Sequence, residues 1–167
     1  MTLLDAPSFN EARERRKRFI IVGAISTFVV LVIAFWIVAG WPVDWPWNWW
    51  THMQGRAAAN TFFTDIEKND LSDAYGVWVH DSNWQQHREK FGNGYTFDRF
   101  QEDWSPNSSQ NEYGAIKSHD IVAARMAGNV LLMGIRLNSL KSKAIFLNYD
   151  PHSHELGFSP VELYLGP

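Results

Sequence analysis

AIKSHDIVAARMAGNVLLMGIRLNSL occupies residues 115–140. In its first half, Ile116, Val122, Ala124 and Met126 fall on even positions and would share one face of an extended chain. Apolar residues at a period of two predict a half-buried strand over 115–127. Gly128-Asn129 is a hairpin turn signal, and an apolar second strand follows over 130–140. Working toward the C-terminus, residues 143–149 predict a third strand and 156–165 a fourth, joined by Asp150-Pro151-His152-Ser153. Pro160 places the last strand at an edge or a bulge, because proline cannot donate to a ladder.

Working toward the N-terminus, the period becomes helical. Thr51-x-x-Gln54 has the form of a capping box opening a helix over 51–68, with an apolar stripe of Met53, Ala59, Phe62, Phe63 and Ile66. Asn69-Asp70 marks a turn, and a short helix over 72–79 carries Ala74, Tyr75 and Trp78. Ser82-x-x-Gln85 is a second capping pattern, starting a stretch in which Trp84, His87 and Phe91 share a face ended by Gly92. Thr96 caps a helix with Phe97, Phe100 and Trp104 at i, i+3 and i+7. Residues 105–110, SPNSSQ, are loop chemistry. Helices followed by an antiparallel meander predict an α+β domain of about three helices packed on a curved four-stranded sheet.

Residues 19–39, FIIVGAISTFVVLVIAFWIVA, contain no charge. A helix of that length spans roughly the 30 Å hydrocarbon core of a bilayer. The stretch exceeds the apolar region of about 7–15 residues usual in a cleaved signal peptide, so it reads as an uncleaved anchor. Arg13, Arg15, Arg16, Lys17 and Arg18 precede it, and the next positive residue is Arg56. By the positive-inside rule the N-terminus is cytoplasmic and the C-terminal domain extracytoplasmic, in a single-pass cell (inner or plasma) membrane protein. The expected organisation is a basic cytoplasmic tail (1–18), a transmembrane helix (19–40), a Trp/Pro-rich interfacial linker (41–50) and an extracytoplasmic domain (51–167).

The linker, WPVDWPWNWW, is half tryptophan. Pro42 and Pro46 favour extended backbone there. Trp36, Trp41, Trp45, Trp47, Trp49 and Trp50 suit the membrane–water interface, where an indole buries its ring and keeps its N–H wet. Trp41, Trp45 and Trp47 also approximate the spacing of a tryptophan-rich haem-handling motif. Pro42 and Asn48 replace that motif's glycine and acid, and the apolar span holds no histidine, so the interfacial reading is the simpler.

Composition narrows the chemistry. The chain has no cysteine, which excludes disulfides, thiolate metal sites and a catalytic thiol. Beyond residue 18 it carries ten Lys and Arg against fifteen Asp and Glu, an acidic balance that argues against nucleic acid.

The piece FFTDIEKNDLSDAY, residues 62–75, together with GNVLLMGIRL, residues 128–137, resembles small NTF2-like (cystatin-like α+β) domains. These pair aromatics on a first helix, follow with an acidic turn, and start a second helix with an Ala-aromatic pair. The resemblance covers residues 51–165, and such domains occur on single N-terminal spans in bacterial cell-envelope proteins. It implies a helix-on-sheet fold, and in the enzymes of the superfamily an apolar pocket holding a carboxylate and proton donors. Tyr75, Trp78, His87, Asp98, Phe100 and Trp104 are the candidate lining of such a pocket, and Asp103 lies in the same half. None has a spacing that demands catalysis.

Asp150-Pro-His152-Ser-His154-Glu155 holds the metal-ligand types closest together. His152 and His154, two apart on an extended strand, would point to one side, but nothing else in the sequence completes a site and a solvated turn is the simpler reading. His119, with Lys117 and Arg125, reads as an exposed polar strand face. The functional expectation is a non-catalytic binding or complex-assembly module at the cell envelope, without cofactor. Its expected partners are the lipid bilayer, a membrane or envelope protein, and an apolar small ligand. The alternative is a membrane-tethered isomerase-like or hydratase-like enzyme.

Overall fold

The computed structural model describes residues 11–39, 46–139 and 144–163. Residues 41–45, half of the expected linker and including Trp41 and Trp45, lie outside the described residues, as do residue 140 of the expected second strand, residue 143 of the third and residues 164–165 of the fourth. The chain divides into two compact units, residues 1–38 and 39–167.

The described part of the first unit lies in helix α1, Glu11–Ala39, which continues N-terminally through the basic segment. Its apolar stretch is long and uncharged enough to cross a membrane, and none of it is buried by protein. Phe19, Val30, Trp36 and Ile37 are each more than half exposed. The apolar residues surround the helix rather than marking one face, as expected of a helix whose surroundings are uniformly apolar.

The second unit is α+β. Its helices are α2 (Trp49–Glu67), α3 (Leu71–Trp78), α4 (Arg88–Phe91) and α5 (Phe97–Trp104). Its strands are β1 (His119–Ala127), β2 (Val130–Leu137), β3 (Ala144–Tyr149) and β4 (Leu156–Phe158). They form one antiparallel sheet in the order β1-β2-β3-β4. β4 is an edge strand and ends before Pro160, as the missing donor requires.

The helix starts differ from the capping patterns. A 3-10 turn over Pro46–Asn48 leads directly into α2, which begins at Trp49. Thr51 therefore lies inside the helix, and backbone expected to be extended is helical from Pro46 onward. Ser82-x-x-Gln85 forms no capping box either. Gln85 Nε2 donates to Ser72 Oγ at 3.0 Å, while the Asp81 carboxylate accepts from the Asn83 amide at 2.8 Å. Two other caps act as the residue types suggest: Asp70 accepts from the Asp73 amide, and Thr96 from the Arg99 amide.

The buried face of α2 is His52, Gly55, Ala59, Phe62, Phe63 and Ile66. Met53, expected on that stripe, is 41% exposed. At 100° per residue it sits well off the line through Gly55, Ala59 and Phe62. α2 lies close on the sheet at Gly55, where an added Cβ would stand 2.6 Å from Leu131 Cδ2 and 3.0 Å from Tyr149 Cδ1. Leu131 and Tyr149 are themselves buried and have little room to yield. Gly55→Ala gains about 1 kcal/mol of helix propensity but overpacks the core by about 1–3 kcal/mol. The expected result is a lower melting temperature, by several degrees. Gly94→Ala, where a Cβ meets nothing within 4 Å, should leave it unchanged.

β1 starts four residues later than its alternation suggests. Asn138, at φ 53°, donates to the Ala115 carbonyl at 3.0 Å and accepts from the Lys117 amide at 2.7 Å, tying that segment down as a loop. A bulge between Ile121 and Ala123 then shifts the register. Ala124 and Met126 keep to the core side, while Val122 leaves the alternation. Such a bulge bends a strand and increases its twist, so it helps curve the sheet over the helices.

The core is aromatic. The Phe62 ring meets Phe63 at 5.0 Å, Trp78 at 5.4 Å, Phe100 at 6.0 Å and Trp104 at 4.9 Å, mostly edge to face. Leu131, Met133, Ile135, Leu137 and Leu147 close it from the sheet.

Candidate functional site

Four of the six candidate pocket residues are core. Tyr75, Trp78, Phe100 and Trp104 are each at most 5% exposed and pack ring against ring. The Tyr75 hydroxyl donates to the Tyr95 carbonyl, and the Tyr95 hydroxyl donates to Asp103 Oδ2, both at 2.7 Å. Burial, reinforced by the bond to Asp103, pushes the Tyr95 phenol far above its ordinary range, so it remains a protonated donor. Asp103 thus closes a structural network at the rim of the core. Asp98 is exposed in the first turn of α5. It borders, with Tyr75, Arg88 and Phe91, a cavity of about 120 Å³. His87 lies apart and donates from Nδ1 to Asp81 Oδ2 at 2.6 Å. That bond is the largest cause holding the Asp81 carboxyl below its usual range. The six residues therefore do not surround one chamber between helices and sheet.

His152 and His154 are not on an extended strand. Residues 151–153 form a turn and His154 is left-handed at φ 62°, so the same-side argument fails. His154 Nδ1 lies 2.6 Å from the Tyr149 hydroxyl. Among the described residues no group of three or more His, Asp or Glu is placed to hold a metal ion. His119 is not part of an exposed face. Its ring stacks on Phe63 at 5.2 Å, donates to Glu67 Oε1 at 2.7 Å, and has Nε2 3.1 Å from Asn60 Oδ1. It clamps β1 to α2.

The concave surface lies elsewhere, on the outer side of α2 and α3. A cleft of about 1120 Å³ runs between them and reaches the β3–β4 turn. From α2 it takes Gln54, Ala57, Thr61 and Asp65, one stripe at spacings of 3–4 residues. From α3 and the segment after it come Asp73, Val77 and His80, from the end of β3 Tyr149, and from the β3–β4 connection His154. No lysine or arginine lines it. Its lining combines small apolar residues, Ala57, Ala58, Gly76 and Val77, with hydrogen-bonding side chains and two carboxylates, Asp65 and Asp73.

His80 was not singled out by sequence reasoning. α3 ends in a Schellman motif: the Asp81 amide donates to the Gly76 carbonyl at 2.9 Å and the His80 amide to the Val77 carbonyl at 3.3 Å. His80 takes the left-handed position at φ 51°, which glycine usually fills. α2 ends in the same way with Asn69 at φ 60°. The His80 and His154 rings come within 5.0 Å at the cleft edge. Two histidines in left-handed backbone, meeting at one concavity, are the signal that could have been sought. It needed the tertiary fold, because 74 residues separate them.

Helices covering one face of a four-stranded antiparallel sheet, preceded by a helix able to cross a membrane, define the class of this protein. Comparison with known proteins takes this no further: no family model, no curated protein and no solved structure matches the chain.

Proposed function

We propose that this is a single-pass membrane-anchored protein whose extracytoplasmic, NTF2-like domain is a non-catalytic binding or complex-assembly module at the cell envelope. The observation that carries the reading is where the space lies. Between helices and sheet, where an enzyme of that resemblance needs a pocket, Phe62, Trp78, Phe100 and Trp104 fill the interior. An accessible concavity among the described residues is the α2–α3 cleft, open and lined by no lysine or arginine. Its shape and its hydrogen-bonding lining, with two carboxylates and no lysine or arginine, suit a segment of a protein partner that makes hydrogen bonds along α2. Left-handed backbone at His80 and His154 costs stability that glycine would recover, which supports a role for their rings in contact.

Photo-crosslinking from Thr61 in the native membrane tests this. The expected product is a discrete protein adduct, absent when the probe stands at exposed Asn93. His80→Gly should abolish the adduct while leaving stability unchanged or raising it by up to about 1 kcal/mol. Thr61 giving no protein adduct, with a small apolar molecule copurifying instead, would replace partner assembly with ligand binding.

A further inference from the structure

Trp47 is 75% exposed, Trp50 59%, Trp49 44% and Met53 41%. These residues belong to the folded domain, because the 3-10 turn at Pro46–Asn48 runs straight into α2. Trp50 and Met53 are one turn apart on the outer side of the helix, opposite buried His52, Gly55 and Ala59. The first turn of α2 has no acidic or basic side chain, and residues 45–55 contain no charge at all. The first charge on the helix is Arg56, whose Nη1 lies 3.5 Å from the Ile121 carbonyl oxygen. A solvated helix end normally carries charge. An uncharged one bearing exposed tryptophans and a methionine is composed like a segment that rests at the boundary of headgroups and acyl chains.

We infer that the first turns of α2 form a membrane seat, with Trp47, Trp50 and Met53 entering the outer-leaflet interface and holding the domain in one orientation. The inference rests on the anchored reading proposed above. The occupant is the bilayer rather than a soluble protein because of chain length: only six residues, 40–45, separate Ala39 from Pro46. Covalent geometry limits such a tether to about 25 Å. If α1 spans the membrane, this patch cannot leave the vicinity of the headgroups. The seat sits on the domain's own helix, so it fixes the domain and not merely a linker. It also aims the cleft. Gln54, Ala57, Thr61 and Asp65 continue the helical stripe of Trp50, so the cleft begins one turn beyond the seat and follows about 17 Å of helix. A partner entering the cleft meets it beside the membrane.

The absence of cysteine permits single nitroxide labels in the full-length chain. Labels at Met53→Cys, Ser153→Cys and Ile25→Cys are compared in phosphatidylcholine vesicles, reading collisions with oxygen and with a water-soluble nickel chelate. The expected result is strong shielding from nickel at 25, shielding severalfold greater at 53 than at 153, and full accessibility at 153. Adding Trp50→Ser to the Met53→Cys chain should raise nickel access at 53 toward the value at 153. Equal accessibility at 53 and 153, with 25 still shielded, overturns the seat and leaves the anchor standing. Accessibility at all three overturns the anchor and the seat with it.

Discussion

Phe62→Ala should bring the domain to the edge of unfolding, with an expected loss of about 3–5 kcal/mol. Phe62 is fully buried and is the ring about which the core is arranged, touching Phe63, Trp78, Phe100 and Trp104. These neighbours are large, ring-shaped and held by one another, so they cannot collapse into the space that the benzyl group leaves. Edge-to-face contacts add about 0.5–1.5 kcal/mol per pair to the burial, which places this site toward the high end. Against a total stability of typically 5–15 kcal/mol, one substitution removes a large share. Urea unfolding of the full-length protein in detergent, followed by near-ultraviolet circular dichroism, measures it. Phe158→Ala is the comparison: Phe158 stacks on Trp104 at 6.1 Å but is 45% exposed, and its loss should be well below that of Phe62. Equal losses would mean that the aromatic cluster is not the stabilising centre.

The second large effect concerns the anchor. Val29→Arg with Ile33→Arg places two charges on one face near the middle of the apolar stretch. A single arginine there costs about 2.5–3.5 kcal/mol on the insertion scale, while each Leu, Ile, Phe or Val contributes about −0.3 to −0.6. Residues 19–38 hold fourteen of the latter; with one arginine the remaining thirteen still favour insertion, whereas with two the remaining twelve contribute about −3.6 to −7.2 against about +5 to +7 kcal/mol, which cancels the drive to insert. The double variant should move from the membrane fraction to the soluble or degraded fraction, as carbonate extraction would read. Retention equal to the unmodified chain would contradict a membrane-spanning α1.

The fold class was legible because its signals are local and mutually consistent. Alternation across Gly128-Asn129 predicts the β1–β2 hairpin, the Phe97, Phe100, Trp104 spacing predicts α5, and Pro160 predicts the edge. The misreadings arise where a distant side chain overrides a local preference. Asn138 turns the expected start of β1 into a loop. Met53 is a different case: at 100° per residue it lies off the line of Gly55, Ala59 and Phe62, and His52 takes the buried face. Asn111 was invisible as a loop clip, although its amide donates to the Ser105 and Gly114 carbonyls at 3.0 Å. The candidate site was less legible. Tyr75 and Trp104 show helical spacing alike whether they line a pocket or fill a core, and only the packing distinguishes the two. His80 and His154 meet through topology alone.

In the proposed topology α1 crosses the membrane with the folded domain on the outer side. Alkaline phosphatase, active only outside the cytoplasm, tests it most directly when fused after Pro167 in one chain and at Asn10 in another. High activity is expected for the first fusion and background activity for the second, with the first falling to background in the Val29→Arg/Ile33→Arg chain. Activity at Asn10 with none after Pro167 would invert the topology, and activity at neither would contradict an extracytoplasmic domain.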